Sequence, residues 1–214
     1  MLTVNEIFYS IQGESSYAGR PCVFVRLTGC NLRCSYCDTR YAYEEGSDLQ
    51  IEEIIARIRS HRCGLVEITG GEPLMQNDTP LLIQKLLDMR LEVLLETNGT
   101  MDISVIDERC VRIVDIKCPS SGEVKKNDLE NLKRLQGKDE IKFVIGNRED
   151  YEYAKNILSS IKRINGKIKG PVFSPVWGKM DPELLAEWIL ADHLDVKMQI
   201  QLHKVIWGSE ARGA

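Results

Sequence analysis

Three cysteines in one short loop constrain this sequence more than any other feature. Cys30, Cys34 and Cys37 follow the spacing C-x3-C-x2-C in residues 29–39, directly after the largely apolar run of residues 23–27. Thiolates this close together on one loop can all reach one metal centre. A closed structural site requires four protein ligands, whereas three leave one coordination position open for chemistry. The loop therefore predicts a metal or iron–sulfur centre with an open position.

Other interpretations of these cysteines stay open at this point. The loop can be half of a zinc site, with His61 or Cys63 as the fourth ligand, in a zinc-stabilised binding module without catalysis. Similar cysteine runs also hold ordinary electron-transfer clusters. The remaining four cysteines have no other cysteine close by in the sequence. We expect them to act as small buried hydrophobic side chains; they are Cys22, Cys63, Cys110 and Cys118.

Composition limits the class of protein. The 214 residues fit a single domain, residues 1–214, and 43% hydrophobic with 28% charged residues is typical of a soluble globular protein. No apolar run approaches the roughly 20 residues of a membrane span, and no secretory signal is visible. A net charge of −4 argues against a general nucleic-acid binder and favours a small-molecule substrate. Seven cysteines without an export signal predict metal binding in a reducing, cytoplasmic compartment.

Strands and helices alternate along the chain. After a strand-like entry at residues 7–14, strands are predicted at 22–27, 64–69, 91–95, 111–116, 140–145, 171–176 and 198–203. Helices are predicted through 51–58 with Ser47 and Asp48 as the cap, at 80–89, through 129–135 after Asn127 and Asp128, at 149–161 and at 182–190. This alternation predicts an α/β fold with a parallel sheet. About six repeats are too few for an eightfold barrel and fit a partial one.

The unusual segments follow the predicted strands. They are the cysteine loop, residues 69–73 (Thr-Gly-Gly-Glu-Pro), 96–99 (Glu-Thr-Asn-Gly), 115–119 (Asp-Ile-Lys-Cys-Pro) and 173–176 (Phe-Ser-Pro-Val). Barrel enzymes collect their chemistry at the C-terminal ends of the strands, so one shared active site is the prediction. Gly70 and Gly71 permit close backbone approach to a ligand, and Glu72 can receive an ammonium group. Asn98-Gly99 by itself indicates only a turn.

The cysteine spacing and Gly70–Pro73 resemble the radical S-adenosylmethionine (radical SAM) enzymes. That resemblance implies a partial (β/α)6 TIM-like barrel, in which Cys30, Cys34 and Cys37 hold a 4Fe-4S cluster and SAM occupies the fourth iron. Electron transfer from the cluster then cleaves SAM to a 5′-deoxyadenosyl radical that abstracts a substrate hydrogen. A glycyl-radical-enzyme activase shares the spacing, but it does not need residues 11–13 or Thr39 and remains an alternative.

Longer segments resemble the 7-carboxy-7-deazaguanine synthase family. They are residues 6–14, 18–21, 23–26, 29–32, 37–39, 69–73, 96–100, 142–145 and 201–204. The resemblance implies conversion of 6-carboxy-5,6,7,8-tetrahydropterin to 7-carboxy-7-deazaguanine with loss of ammonia, in queuosine biosynthesis. SAM would act catalytically by removing the C6 hydrogen, with Mg²⁺ as a further cofactor. The family also implies a homodimer and a flavodoxin or ferredoxin as electron donor, with neither nucleic acid nor membrane as a partner.

The same resemblance assigns the site residues, with no catalytic residue beyond the cluster and SAM. Substrate contacts are expected at Ile11, Gln12, Gly13, Arg26, Thr69 and the terminal Ala214, and the Mg²⁺ ligand at Thr39. SAM contacts are expected at Tyr36, Cys37, Asp38, Gly71, Glu72, Asp115, Ile116, Lys117, Phe173, Ser174, Pro175 and Val176. Glu14 and His203 are further candidates, although a structural role for His203 is equally open. The C-terminal strand and tail, residues 198–214, are expected to close the substrate pocket.

The sequence departs from the family at three places. Asp115 and Ile116 stand where the family often has Ser-Pro, Ser174 stands where Gln is common, and the chain closes on Ala214. The SAM contacts around residue 115 and the role of the terminal carboxylate are the assignments that these departures affect.

Overall fold

A single nine-stranded sheet organises the structure. The computed structural model describes residues 1–164 and 170–213. Strands β1 (Leu2–Ile11) and β2 (Pro21–Leu27) form an antiparallel hairpin, and β3 (Ser47–Leu49) pairs with the outer edge of β1. The remaining strands are β4 (Leu65–Gly70), β5 (Glu92–Thr97), β6 (Val111–Asp115), β7 (Glu140–Ile145), β8 (Val172–Pro175) and β9 (Lys197–Met198). The helices are α1 (Ile51–Ser60), α2 (Thr79–Asp88), α3 (Asn131–Arg134), α4 (Arg148–Ile164), α5 (Pro182–Ala191) and α6 (Leu202–Trp207).

The strand order is β3-β1-β2-β4-β5-β6-β7-β8-β9, and every pair from β2 to β9 is parallel. Parallel neighbours need crossover connections, and α1, α2, α4 and α5 lie in those connections. The six longer parallel strands, β2 and β4–β8, confirm the prediction of an abbreviated TIM-like (β/α)6 barrel. None of the helices in residues 1–164 and 170–213 is long and apolar enough to cross a membrane.

Side-chain alternation along the strands separates two environments. Residues such as Val25, Ile68 and Phe143 belong to the main core, which also contains the buried faces of the helices. The alternate positions form a second apolar cluster with Phe24 and Ile113. Because side chains alternate with a period of two, this second cluster occupies the inner face of the curved sheet. On the same face the residues become polar towards the strand ends, and this change creates the site.

Two local predictions differ from the structure. Ser47 and Asp48 do not cap a helix, because residues 47–49 pair with residues 2–4 of β1. Helix α1 begins one residue after Gln50, whose side chain forms a reciprocal capping box with Glu53. The predicted helix through residues 129–135 shortens to the single turn α3.

The predicted last strand is mostly wrong. Of residues 198–203, only Met198 lies in a strand, and α6 begins at Leu202. The backbone amide of Leu202 donates to the Gly13 carbonyl oxygen at 3.0 Å, which attaches this end of the chain to the loop after β1. The alternation of residues 198–203 resembles a strand, but this long-range contact favours a helix start.

Candidate active site

A cavity of about 900 Å³ opens at the C-terminal ends of the parallel strands. It is lined by the cysteine loop, by the strand ends and by residues 208–213 of the C-terminal tail. Most of the residues that the sequence singled out line it: Ile11, Gln12, Gly13, Arg26, Cys30, Cys34, Tyr36, Cys37, Asp38, Thr39, Thr69, Gly71, Asp115, Lys117 and Val176. Glu14 and His203 also line it. The fold therefore brings the three cysteines and most of the expected ligand contacts to one cavity.

Five of the expected SAM contacts lie elsewhere. Ile116 and Phe173 belong to the main core, since they alternate with inward-facing neighbours. Ser174 and Pro175 are buried within β8, and Glu72 is buried beneath the strand ends. None of the five is among the residues that line the cavity. Ala214 lies outside the described residues.

The cysteine loop is fixed by backbone hydrogen bonds to neighbouring loops. The amide of Gly29 donates to the Ala42 carbonyl at 2.9 Å, and that of Ser35 donates to the Ser121 carbonyl at 3.0 Å. The amide of Leu32 lies 3.4 Å from Cys30 Sγ and donates to it. Burial raises the pKa of Cys34 to about 11, although Lys117 acts in the opposite direction. Three free thiols on one anchored loop, facing one cavity, fit the three protein ligands of a 4Fe-4S cluster.

The structure contradicts the zinc alternative, because its fourth ligands are at the wrong end of the barrel. Cys63 Sγ lies 3.3 Å from the carbonyl oxygen of Pro21, where β2 begins. The cysteine loop follows the other end of this seven-residue strand, roughly 20 Å away. His61 stacks on Tyr9 with ring centroids 5.8 Å apart, also outside the cavity.

The Gly70-Gly71 segment packs directly against the cysteine loop. Gly71 donates its amide hydrogen to the Leu27 carbonyl at 3.2 Å, and Glu72 donates to the Gly29 carbonyl at 2.7 Å. A Cβ atom on Gly71 would lie 2.0 Å from the Gly29 carbonyl oxygen and 2.8 Å from Cys30 Cβ. Only glycine allows this approach, because the obstructing atoms are backbone.

We therefore expect Gly71→Ala to displace the cysteine loop and to impair cluster assembly. The measurement is the iron content and the visible absorbance after anaerobic reconstitution, with a large loss expected relative to the unsubstituted protein. Gly64→Ala is the matched control, because a Cβ atom there meets nothing within 4 Å. Equal cluster loading of the two variants would contradict the packing argument.

The Glu72 carboxylate connects two strand ends. It accepts hydrogen bonds from the amide of Leu74 at 2.9 Å, the amide of Asn98 at 2.7 Å and the hydroxyl of Thr97 at 2.9 Å from each oxygen. Burial raises the pKa of Glu72, and the hydrogen bonds from these groups oppose that rise. Its carboxylate thus has the loops after β4 and β5 as partners.

Glu72→Gln should lower the free energy of unfolding by about 1–3 kcal/mol. The NH2 group of the glutamine would replace one carboxylate oxygen and would face the N–H and O–H groups that donate to that oxygen in the unsubstituted protein. Chemical denaturation measures this loss. Glu187→Gln, at an exposed position of α5, is the control and should change stability by less than about 0.5 kcal/mol. A Glu72→Gln protein as stable as the control would exclude this structural role.

Asn98 supports the cysteine loop through its side chain. The sequence does not predict this contact. Its side-chain amide donates to Asn31 Oδ1 at 2.9 Å and lies 3.9 Å from Cys30 Sγ. Asn31 in turn donates to the Thr100 hydroxyl at 2.7 Å. Gly99 has φ of +71°, a conformation that favours glycine, so the turn signal itself is correct. Only the spatial proximity to residue 31 identifies the motif as part of the site.

A buried ionic cluster forms the polar side of the barrel interior. Lys142, whose side chain is 7% exposed, donates to Glu14 at 2.7 Å and to Glu96 at 2.5 Å. Gln201 donates to the second oxygen of Glu14 at 2.9 Å. Burial alone would raise the pKa of Glu14, but the charge of Lys142 and hydrogen bonds from Lys142 and Gln201 lower it to about 2. Glu14 is therefore ionised at neutral pH.

Glu67 differs from these carboxylates. It is 2% exposed, it lines the cavity, and the Gln12 side-chain amide donates to it. Burial, with the nearby carboxylates of Glu96 and Glu14, raises the pKa of Glu67 well above its ordinary value. The interior thus holds a carboxyl group whose pKa is shifted upwards beside one, Glu14, whose pKa is shifted downwards. Sequence periodicity gave no sign of this, since a single acidic residue in a strand is not diagnostic.

Lys117 and Asp115 face the cavity on the side of the cysteines. Lys117 Nζ donates to Asp115 Oδ2 at 2.7 Å. Burial opposes the charge on Lys117, but Asp115, Cys34 and Tyr36 raise its pKa. Asp115 Oδ1 is buried and, among the described residues, has no hydrogen-bond partner. An unpaired acceptor at this position fits a ligand that donates hydrogen bonds, as SAM does.

Comparison with known proteins agrees with this geometry. Residues 24–120 match the model of the Radical SAM superfamily. The 7-carboxy-7-deazaguanine synthase of Chlorobaculum tepidum is 47% identical over 99% of this chain and 97% of its own length. This chain belongs to the 7-carboxy-7-deazaguanine synthase family. A second family member, from Koribacter versatilis, is 42% identical over 99% of this chain and its entire length.

The fold of the family is also found among solved structures. The crystal structure of QueE from Escherichia coli superposes with a TM-score of 0.79 at 24% identity, covering 94% of each chain. SuiB from Streptococcus suis, bound to its precursor peptide SuiA, superposes with a TM-score of 0.57 over 83% of this chain and 48% of its own. These likenesses show that the same fold occurs in both proteins, and the Radical SAM superfamily match of residues 24–120 confirms its type.

As a member of the 7-carboxy-7-deazaguanine synthase family, this protein is a radical SAM lyase. It uses a 4Fe-4S cluster and SAM and acts on a small molecule. Membership over nearly the full length favours this enzyme over a glycyl-radical activase and over a non-catalytic binding module.

Proposed function

We propose that this enzyme converts 6-carboxy-5,6,7,8-tetrahydropterin to 7-carboxy-7-deazaguanine with loss of ammonia, as a step of queuosine biosynthesis. One observation carries the proposal: a single cavity joins the three cysteines to Arg26, Thr39 and residues 11–13, the residues expected to bind this substrate. Cys30, Cys34 and Cys37 would hold the cluster, and the cluster with SAM would supply radical chemistry directed at C6 of the pterin. The side chains of this protein bind, orient and enclose the reactants.

Arg26 would pair with the substrate carboxylate, since its planar guanidinium can donate two parallel hydrogen bonds. The backbone of Ile11 and Gly13, with the Gln12 amide, would meet the pterin edge, and Thr69 would contact the substrate through its hydroxyl oxygen, whose proton is donated to Glu96 at 3.3 Å. On the other side of the cavity, SAM would lie against Tyr36, Cys37, Asp38, Gly71 and Val176, with Asp115 and Lys117 as polar contacts. The cavity then holds both reactants side by side.

Glu72, Ile116, Phe173, Ser174 and Pro175 would support SAM binding only through their neighbours. Ala214 would contribute its terminal carboxylate from the tail, whose residues 208–213 already line the cavity. Arg212 lies 4.1 Å from the centre of the Tyr41 ring, which holds the tail over the opening. This contact supports closure of the substrate pocket by the C-terminal segment.

Mg²⁺ would bind through the Thr39 hydroxyl together with the substrate carboxylate. A hard cation takes oxygen ligands, and the Thr39 side chain lines the cavity beside Cys37. We expect Thr39→Val to abolish the stimulation of turnover by Mg²⁺ while SAM affinity persists, and Thr39→Ser to retain it. The measurement is the initial rate against Mg²⁺ concentration. Full Mg²⁺ stimulation of Thr39→Val would remove this ligand from the proposal.

The partners and compartment extend the same proposal. We place the enzyme in the cytoplasm, because its thiols are free and its cluster ligands must remain reduced. The electron donor would be a flavodoxin or ferredoxin, and the assembly a homodimer. Sedimentation of the reconstituted protein tests the homodimer.

The reaction itself is tested with substrate deuterated at C6. If this enzyme removes the C6 hydrogen and regenerates SAM, deuterium appears in the recovered SAM by mass spectrometry. Unlabelled SAM after turnover would contradict hydrogen abstraction from C6 with SAM regeneration.

A further inference from the structure

Arg26 is held from one side only. Its side chain is 15% exposed, and its Nε donates to Glu6 Oε1 at 2.7 Å across the β1–β2 hairpin. Its guanidinium also lies 5.7 Å from the ring centre of Phe8 and 5.9 Å from that of Tyr41. No other hydrogen bond reaches the guanidinium from residues 1–164 or 170–213. The Nη edge is therefore available to the cavity that Arg26 lines.

Tyr41 fixes the same carboxylate from a second direction. Its hydroxyl donates to Glu6 Oε1 at 3.0 Å, so one oxygen accepts from both Arg26 and Tyr41. Burial, opposed by Arg26 and assisted by Glu6, raises the pKa of Tyr41 to about 12. The phenol consequently keeps its proton and remains a donor at neutral pH.

This arrangement determines the plane of the guanidinium. A bidentate contact to a carboxylate requires a guanidinium whose plane is already oriented in the free protein, so that little orientational freedom is lost on binding. From this geometry we infer that Glu6 and Tyr41 are positioning residues that orient Arg26 and thereby select a carboxylated over an uncarboxylated pterin. The inference rests on the proposed function, in which Arg26 receives the substrate carboxylate.

A purely structural role is the competing explanation. Glu6 and Arg26 are direct partners in the register of the β1–β2 hairpin, and opposite charges at such positions stabilise hairpins without any ligand. A structural pair would affect the stability of the protein and its affinity for every ligand alike. A positioning pair would affect the carboxylated ligand selectively.

The test measures equilibrium binding of two probes, 6-carboxypterin and pterin, to the reconstituted enzyme with SAM under anaerobic conditions. We expect Glu6→Ala and Tyr41→Phe to weaken 6-carboxypterin binding about tenfold or more and to leave pterin binding unchanged. Glu6→Gln keeps an acceptor oxygen and should retain most of the preference. In an Arg26→Met background, Glu6→Ala should have no further effect on either probe.

Thermal unfolding of each variant confirms that binding is measured on folded protein. For the natural substrate, the KM should rise in Glu6→Ala with little change in kcat. Equal weakening of both probes, or an unchanged preference in both Glu6→Ala and Tyr41→Phe, would overturn the inference while the proposed function stands. If the unsubstituted enzyme itself fails to prefer 6-carboxypterin, Arg26 does not bind the carboxylate, and the proposed function falls together with the inference.

Discussion

Cys34→Ala should leave the protein folded and unable to assemble its cluster. Cys34 is one of only three protein ligands expected for the 4Fe-4S cluster, and it is buried on the loop that faces the cavity. With two ligands left, the reconstituted variant should lack the broad visible absorbance of the cluster. Cleavage of SAM should fall to background. Iron and sulfide analysis, with SAM cleavage measured under dithionite, checks both expectations.

Cys63→Ala is the matched control for this experiment. Its thiol lies near Pro21 at the opposite end of β2 and does not line the cavity. This variant should bind iron and cleave SAM as the unsubstituted protein does. A cluster that depends on Cys63, or one that assembles fully in Cys34→Ala, would contradict the assignment of the ligands.

Lys142→Met should be the most destabilising single substitution in the barrel interior. It removes the buried cation shared by Glu14 and Glu96, whose side chains are half-buried and remain beside the vacated position. Loss of one partner of a buried ion pair costs about 3–5 kcal/mol, because an uncompensated charge remains. Chemical denaturation at pH 7 measures this loss. Lys85→Met removes an exposed ion pair to Glu52 and should cost less than about 1 kcal/mol.

The effect of Lys142→Met should depend on pH in a defined direction. In the unsubstituted protein the pKa of Glu14 is lowered from 4.5 to about 2, so its contribution to stability is present above pH 4.5 and is lost as the pH falls towards 2. Without Lys142, which supplies the two largest lowering contributions, burial moves the pKa of Glu14 upwards against only Gln201 and His203. The variant should therefore lose most stability at neutral pH and approach the unsubstituted protein in acid.

Lys142→Met combined with Glu14→Gln should recover part of the loss at pH 7, because a neutral amide replaces one uncompensated carboxylate. A double variant no more stable than Lys142→Met, together with a destabilisation that is constant from pH 4 to pH 7, would show that packing rather than charge explains the effect.

Local sequence patterns predicted the parts of this fold that depend on local chemistry. The strand at residues 140–145 is correct to the residue, and the helix at 80–89 is displaced by only one residue at each end. Strand ends carrying glycine, cysteine and polar residues correctly indicated one shared cavity, because parallel strands in a barrel end at the same edge. Family resemblance supplied the chemistry that spacing alone left open.

Long-range contacts explain what the sequence did not predict. Lys142 is a single cation in a strand, and its partners Glu14 and Glu96 lie on distant segments. Residues 47–49 became a strand because the edge of β1 was free to pair with them. The carboxylate of Glu72 accepts hydrogen bonds from Thr97 and Asn98, because the C-terminal ends of β4 and β5 lie side by side in the sheet. Each of these outcomes follows from tertiary placement and has no local signature.

The most direct test of the proposed function is an anaerobic turnover assay. It contains reconstituted protein, SAM, dithionite, Mg²⁺ and 6-carboxy-5,6,7,8-tetrahydropterin, with products identified by mass spectrometry. The proposal predicts 7-carboxy-7-deazaguanine in amounts that exceed the SAM consumed, with ammonia released in equal quantity to the product. Cleavage of SAM with the pterin recovered unchanged would contradict the proposed substrate, and the cavity beside the three cysteines would then bind a different small molecule.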